Sequence, residues 1–146
     1  MKKESKSAKI IIDTNIWISF LIGKSLKRLQ HYIDSQSVKI IICDEQVQEL
    51  LEVFETPKIQ KYFSRDQVMG FFELLDESSE KVDLKTKVDL CRDKKDNYLI
   101  SLAIDSKADF LITGDKDLLV LKKVENTSMI KFNEFEKLMT QRPKQE

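Results

Sequence analysis

Four carboxylates stand at equivalent places along this chain. Asp13 directly follows the apolar run Ile10-Ile11-Ile12. Glu49 lies on the segment after a second such run, Asp96 stands ahead of a third, and Asp115 follows that third run behind Gly114. Short β-branched runs of this kind read as strands buried on both faces, as in parallel sheets. In open α/β sheets, ligands gather beyond the carboxyl ends of the strands. Parallel strands would therefore bring these acids to one edge. Two ionised carboxylates ~4 Å apart repel by ~4 kcal/mol at an effective dielectric of 20. A cluster of them either takes up protons or holds a cation. An oxygen-only donor set suits Mg²⁺ or Mn²⁺. The matching chemistry is phosphodiester cleavage, in which the metal lowers the pKa of its water and neutralises charge at phosphorus. The plain alternative is surface decoration, because a chain with 25 acids places some near strand ends by chance. Asp44, Asp93 and Asp117 have ready roles as caps or turn residues, and Asp109 shapes the turn before the third run.

The positioning elements follow from periodicity. A strand is expected over Ile10 to Asp13, then a helix from Asn15 to Ile22 that stops at Gly23. Ser25 caps a helix with Leu26, Leu29 and Ile33 at helical spacing. A second strand runs from Lys39 to Cys43, and Asp44 can cap the helix that carries the Val47, Leu50, Leu51, Phe54 stripe. Glu49 sits beside that stripe, where it can reach over the sheet edge. Thr56-Pro57 ends this helix. Ser64-Arg65-Asp66-Gln67 has the form of a capping box ahead of Val68, Phe71, Phe72 and Leu75. Asp76 to Val88 reads as the most loop-like interior stretch, with one short strand around Val82. Asp96 falls in the first turn of a helix with Leu99, Leu102 and Ala103 on one face, where the helix dipole favours a carboxylate. Phe110 to Thr113 is the third buried strand, Gly114 makes the turn, and Asp115 opens a short helix. Ser128 to Phe132 is a last strand, followed by a helix capped by Asn133. Strands alternating with helices imply a mostly parallel central sheet flanked by helices on both faces.

Composition sets the bounds. The chain has 146 residues, with 25 Lys plus Arg against 25 Asp plus Glu. That suits one domain, 1–146, with its core over about 9–139 and polar tails at both ends. A globally basic nucleic-acid binder is not indicated, although a local basic patch remains open. The two cysteines, Cys43 and Cys91, are too few for a disulfide framework or a cysteine-rich zinc site. No signal peptide is expected, and no apolar run approaches the ~20 residues of a membrane span. A cytoplasmic setting without a membrane is the expectation.

The motifs bring a family into view. Ile12-Asp13-Thr14-Asn15 resembles the opening motif of PIN-domain ribonucleases, and Gln48-Glu49-Leu50-Leu51 resembles the second. Asp93-Lys94-Lys95-Asp96-Asn97-Tyr98-Leu99 looks like the third. Ala108-Asp109-Phe110-Leu111-Ile112-Thr113-Gly114-Asp115-Lys116-Asp117-Leu118-Leu119 looks like the fourth. Order and spacing fit over roughly Lys9 to Phe135. No single motif is specific; the ordered set is. Within the family the likeness is to toxins of toxin–antitoxin pairs. The resemblance implies a Rossmann-like three-layer fold and a divalent-metal-dependent endoribonuclease using Mg²⁺ or Mn²⁺. By match of motif, Asp13, Glu49, Asp96 and Asp115 form the catalytic and metal-binding acids, with Asp117 as an extra acid. Asp13 and Asp96 would be the main direct ligands. Thr14, Asn15 and Thr113 would be supporting polar residues. The family commonly dimerises and is held inactive by a small antitoxin. Two positions depart from its pattern: Lys94 stands where proline is frequent, and Cys43-Asp44 where a serine or threonine often opens the helix. Neither removes a candidate ligand.

Other residues are read more plainly. His31, the single histidine, cannot build a His-rich metal site and suits a surface position. Trp17 suits the core. No glycine-rich phosphate loop exists, which excludes a P-loop enzyme. RNA approaching an acidic site needs cations around it, and Arg92, Lys94 and Lys95 are the candidates for phosphate contact, against the reading of a solvated face. Two further functions compete. One is a non-catalytic PIN fold serving as an RNA-binding or scaffold module, which loss of acids would favour. The other is a receiver-type signalling domain, which needs an acidic pair after the first strand and an Asp ending a central one. Only Asp13 follows the first strand, and the second ends at Cys43.

Overall fold

The computed structural model describes residues 7–23, 26–89 and 96–141. Its strands are β1 (Ala8–Ile12), β2 (Val38–Ile42), β3 (Ser79–Lys81), β4 (Phe110–Ile112), β5 (Lys123–Val124) and β6 (Thr127–Ile130). Between and after them run helices α1 (Thr14–Ile22), α2 (Leu26–Asp34), α3 (Asp44–Phe54), α4 (Pro57–Gln60), α5 (Arg65–Ser78), α6 (Asn97–Ser106), α7 (Lys116–Leu119) and α8 (Phe132–Gln141). They build one sheet in the order β3-β2-β1-β4-β6-β5. All pairings are parallel except β5 with β6. The expected α/β fold with a mostly parallel central sheet is therefore the observed one.

The isoleucine runs explain the layers. Successive side chains of a strand point to opposite faces. Ile10, Ile12, Ile40, Ile42 and Ile112 face one core with Trp17, Leu29, Leu50, Phe71 and Phe135. Ile11, Ile41 and Leu111 face the other with Leu99, Leu102, Leu118 and Met129. A strand with no polar face must be covered on both sides, and helices do so here. Trp17 is buried at 2% exposure and packs edge-on against Phe20 and Phe71, as a core residue should. His31 is exposed on α2. Among the described residues, no helix is long and apolar enough to cross a membrane.

Several boundaries differ from the sequence expectation. The Ser64 capping box forms, with Ser64 and Gln67 each bonding the other's backbone. The helix it starts continues to Ser78, so the loop-like stretch begins later than expected. The short strand is Ser79–Lys81 rather than around Val82. As an edge strand it has no buried face to write a hydrophobic pattern. From Val82 to Asp89 the chain carries no regular element, and Val82, Leu84 and Val88 pack on the second core. Asp105 on α6 holds this segment by accepting from the Lys85 amide (2.6 Å), the Thr86 amide (2.9 Å) and the Thr86 hydroxyl (2.5 Å). Cys43, not Asp44, is the N-cap of α3; Asp44 is its first residue and pairs with Lys81 at 3.0 Å. The last helix begins at Phe132, one residue ahead of Asn133, and Glu134 reaches back to the Lys131 amide at 3.0 Å. Ser25 lies outside the described residues.

Candidate functional site

Strand register creates the site. Ile12 lies beside Ile112 across the β1–β4 pair, and Ile10 beside Ile40 across β1–β2. One and three steps further along, Asp13 comes level with Thr113 and Cys43. The chain runs from β1 outward to β2 and β3, then returns to β4 on the other side of β1. The sheet therefore changes direction between β1 and β4, and the crevice at such a switch point is where α/β sheets bind ligands. Asp13 stands at that crevice.

Asp13 is buried at 7% exposure and is the N-cap of α1. Its carbonyl accepts the Ile16 and Trp17 amides at 2.9 and 3.1 Å, while its side chain closes no capping bond. Instead Asp13 Oδ2 accepts the Thr113 hydroxyl at 2.8 Å. The Thr113 oxygen in turn accepts the Asp115 amide at 3.0 Å, and Asp115 Oδ1 accepts the Asp117 amide at 2.9 Å, capping α7. Thr113, fully buried, thus links Asp13 to Asp115. This link closes the turn that sequence reading assigned to Gly114. Gly114 has no positive φ, and an added Cβ there would meet Ile16 Cδ1 at an ordinary 3.8 Å.

Glu49 arrives from α3. The buried Gln46 side chain donates to the Ile12 carbonyl at 2.5 Å, tying α3 to the end of β1. Glu49 lies three residues on, over the same face of the helix. Glu49 Oε1 accepts the Thr14 hydroxyl at 2.8 Å and the Tyr98 hydroxyl. Tyr98 belongs to the first turns of α6, whose N-cap is Asp96. The Glu49–Tyr98 bond therefore brings the start of α6, and with it Asp96, to this edge. Asp96 takes the N-cap position rather than lying inside the first turn, its side chain closes no capping bond, and one of its carboxylate oxygens is buried.

Burial, before all else, raises the Asp13 pKa above its ordinary value, and the negative charges of Glu49 and Asp115 raise it further. The Thr113 hydroxyl and the Asn15 amide oppose them. Burial and the bond to Glu49 raise the Tyr98 phenol, so it stands as a donor. Burial pushes the Cys43 thiol up to about 12, which makes it an inert neighbour rather than a nucleophile.

Of the expected acids, Glu49 and Asp115 act with their charge on Asp13, and Asp96 and Asp117 begin the adjoining helices α6 and α7. Among the supporting residues, Thr14 and Thr113 bond the acids, while the Asn15 side chain is exposed. Arg92, Lys94 and Lys95 lie outside the described residues, as do Cys91 and Asp93. Among the described residues, no group of three or more His, Cys, Asp or Glu side chains is placed to hold a metal ion. Mg²⁺ does not ask for one: it is held by one or two carboxylates, several waters and a substrate phosphate. An all-oxygen set around a carboxylate whose pKa is raised by burial first and by its neighbours' charge second fits such a cation, which would reverse that repulsion. Sequence reading missed Tyr98 and Gln46. At helical spacing their only signal was that of core residues.

Comparison with known proteins gives the family. The profile described as PIN domain matches residues 9–117. An uncharacterized protein of Methanocaldococcus jannaschii, MJ1680, is 30% identical over 124 residues, covering 83% of this chain and 79% of that protein. Among solved structures, VapBC2 from Rickettsia felis bound to a DNA fragment from their promoter aligns with a TM-score of 0.53 at 17% identity, covering 83% of this chain and 96% of that one. At that identity the likeness is one of fold.

Proposed function

The chain belongs to the PIN-domain family, and from that premise we propose that it is a divalent-metal-dependent endoribonuclease, the toxin of a toxin–antitoxin pair. The observation that carries this reading is the placement of Asp13. It is buried at the switch point of the sheet and bonded to Thr113, and its pKa is raised by that burial first and then by the charges of Glu49 and Asp115. Such a cluster attracts a cation more strongly than it attracts a neutral ligand.

Asp13, Glu49, Asp96 and Asp115 would hold Mg²⁺ or Mn²⁺, with Asp117 as an extra acid. The ion, when bound, supplies a water of lowered pKa and neutralises charge on the scissile phosphate. The chain's own residues do the rest. Thr113 holds the Asp13 carboxylate in place. Thr14 and Tyr98 hold Glu49 through its Oε1. Arg92, Lys94 and Lys95, flanking the third motif, would contact RNA phosphates. A small antitoxin and a second copy of this chain are the protein partners that the family resemblance implies, in the cytoplasm. All four acids remain, so no residue loss favours the non-catalytic scaffold.

The test is cleavage of single-stranded and hairpin RNA by the purified chain with Mn²⁺ or Mg²⁺. Cleavage that stops on chelation and is lost in Asp13→Asn is the expected result. Cleavage unchanged in Asp13→Asn would remove the assignment.

A further inference from the structure

Tyr98 has no place in the acidic set, yet its side chain ends there. Its ring packs partly buried against the second core. Its hydroxyl donates to Glu49 Oε1 and lies 3.4 Å from the Thr14 hydroxyl, which reaches the same oxygen. A tyrosine that only filled the core needs its ring and any acceptor for its phenol. Here donors from two helices, α1 and α6, meet on one oxygen of a carboxylate carried by a third, α3. An ionised carboxylate only accepts, so both hydroxyls donate to it. Oε2 stands outside both bonds.

We propose that Tyr98 is a positioning residue: its hydroxyl and that of Thr14 clamp Glu49 Oε1, fixing the carboxylate so that Oε2 is the oxygen left for the cation. The inference rests on the function proposed above. The terminal torsion of a glutamate is broad, so an unclamped Glu49 would sample orientations that turn neither oxygen correctly. Partners that orient ligating groups typically carry about 10–100-fold in metal affinity.

The test is calorimetric titration of Mn²⁺ into the full chain as wild type, Tyr98→Phe, Glu49→Gln and the double variant, with thermal unfolding to establish that each is folded. Tyr98→Phe keeps the ring and removes only the donor. It is expected to weaken Mn²⁺ binding by about 10-fold, whereas the double variant binds no more weakly than Glu49→Gln alone. A ring that merely packs would leave Mn²⁺ affinity at its wild-type value in Tyr98→Phe. That result, or a loss that simply adds to that of Glu49→Gln, overturns the inference while leaving the proposed function standing. A wild-type chain that binds no Mn²⁺ even with an RNA fragment present overturns both.

Discussion

Thr113 donates its hydroxyl hydrogen to Asp13 Oδ2 at 2.8 Å, across the junction of two parallel strands whose residues are 100 positions apart. The Thr113 hydroxyl oxygen itself accepts the Asp115 amide at 3.0 Å. One buried hydroxyl thereby aligns the first acid and the start of the helix that carries the fourth.

Thr113→Val keeps the shape and removes both bonds. It leaves a buried carboxylate oxygen and the Asp115 amide without that partner, a cost of about 1–3 kcal/mol. The expected outcome is a lower melting temperature together with Mn²⁺ affinity reduced by about 10-fold or more. Denaturation and calorimetry on the same variant measure the two effects.

Asp13→Asn is expected to stabilise the cation-free protein at neutral pH. Burial, then the charges of Glu49 and Asp115, raise the folded pKa of Asp13 above its ordinary 3.8. A raised carboxyl favours the fold while protonated. Its contribution is fully present below the ordinary value and is lost as pH rises through the folded one. The gain from asparagine should therefore be absent at pH 3 and grow upward from about pH 4. Melting curves across pH, with chelator present, check it. A gain that is equal at pH 3 and pH 7 contradicts it.

Asp105 anchors the irregular segment ahead of the third motif through Lys85 and Thr86. Burial acts against its charge, but the Thr86 hydroxyl and amide and the Lys85 amide win, and its pKa is lowered. A lowered carboxyl stabilises above its ordinary value, and that stability is lost as pH falls through the folded one. Asp105→Ala should speed hydrogen exchange of the Lys85 and Thr86 amides by on the order of 10-fold, the equivalent of about one hydrogen bond. Acid that protonates Asp105 should lower the protection of the same amides, measured against their intrinsic exchange rates, in the wild type.

How much of this was legible beforehand depends on what each residue had to advertise. The buried strands declared themselves through unbroken isoleucine runs, and the acids through their place just beyond them. The parallel arrangement followed from alternation. The edge strands Ser79–Lys81 and Lys123–Val124 carry no apolar pattern, because an edge strand has little to bury. Tyr98 and Gln46 sit where a helix faces the core, so their polar ends were invisible until α3 and α6 were placed. The linkage of Asp13 to Asp115 depends on register between strands distant in the chain, which no local pattern encodes.

The basic residues of the third motif give a prediction independent of the described structure. Lys94→Ala with Lys95→Ala is expected to weaken RNA binding most at low salt. The slope of log affinity against log salt should fall by about 1.4, at ~0.7 per phosphate contact with a single strand. An unchanged slope would mean that those lysines face solvent.

The central claim is that the acids at this sheet edge form one cation site. Titrating Mn²⁺ and Mg²⁺ into the purified chain, with Asp13→Asn beside it, tests that directly. Saturable binding in the wild type, weakened at least 10-fold in the variant, is the expected result. Equal binding in both proteins, or none in either at millimolar metal with an RNA fragment present, would contradict it.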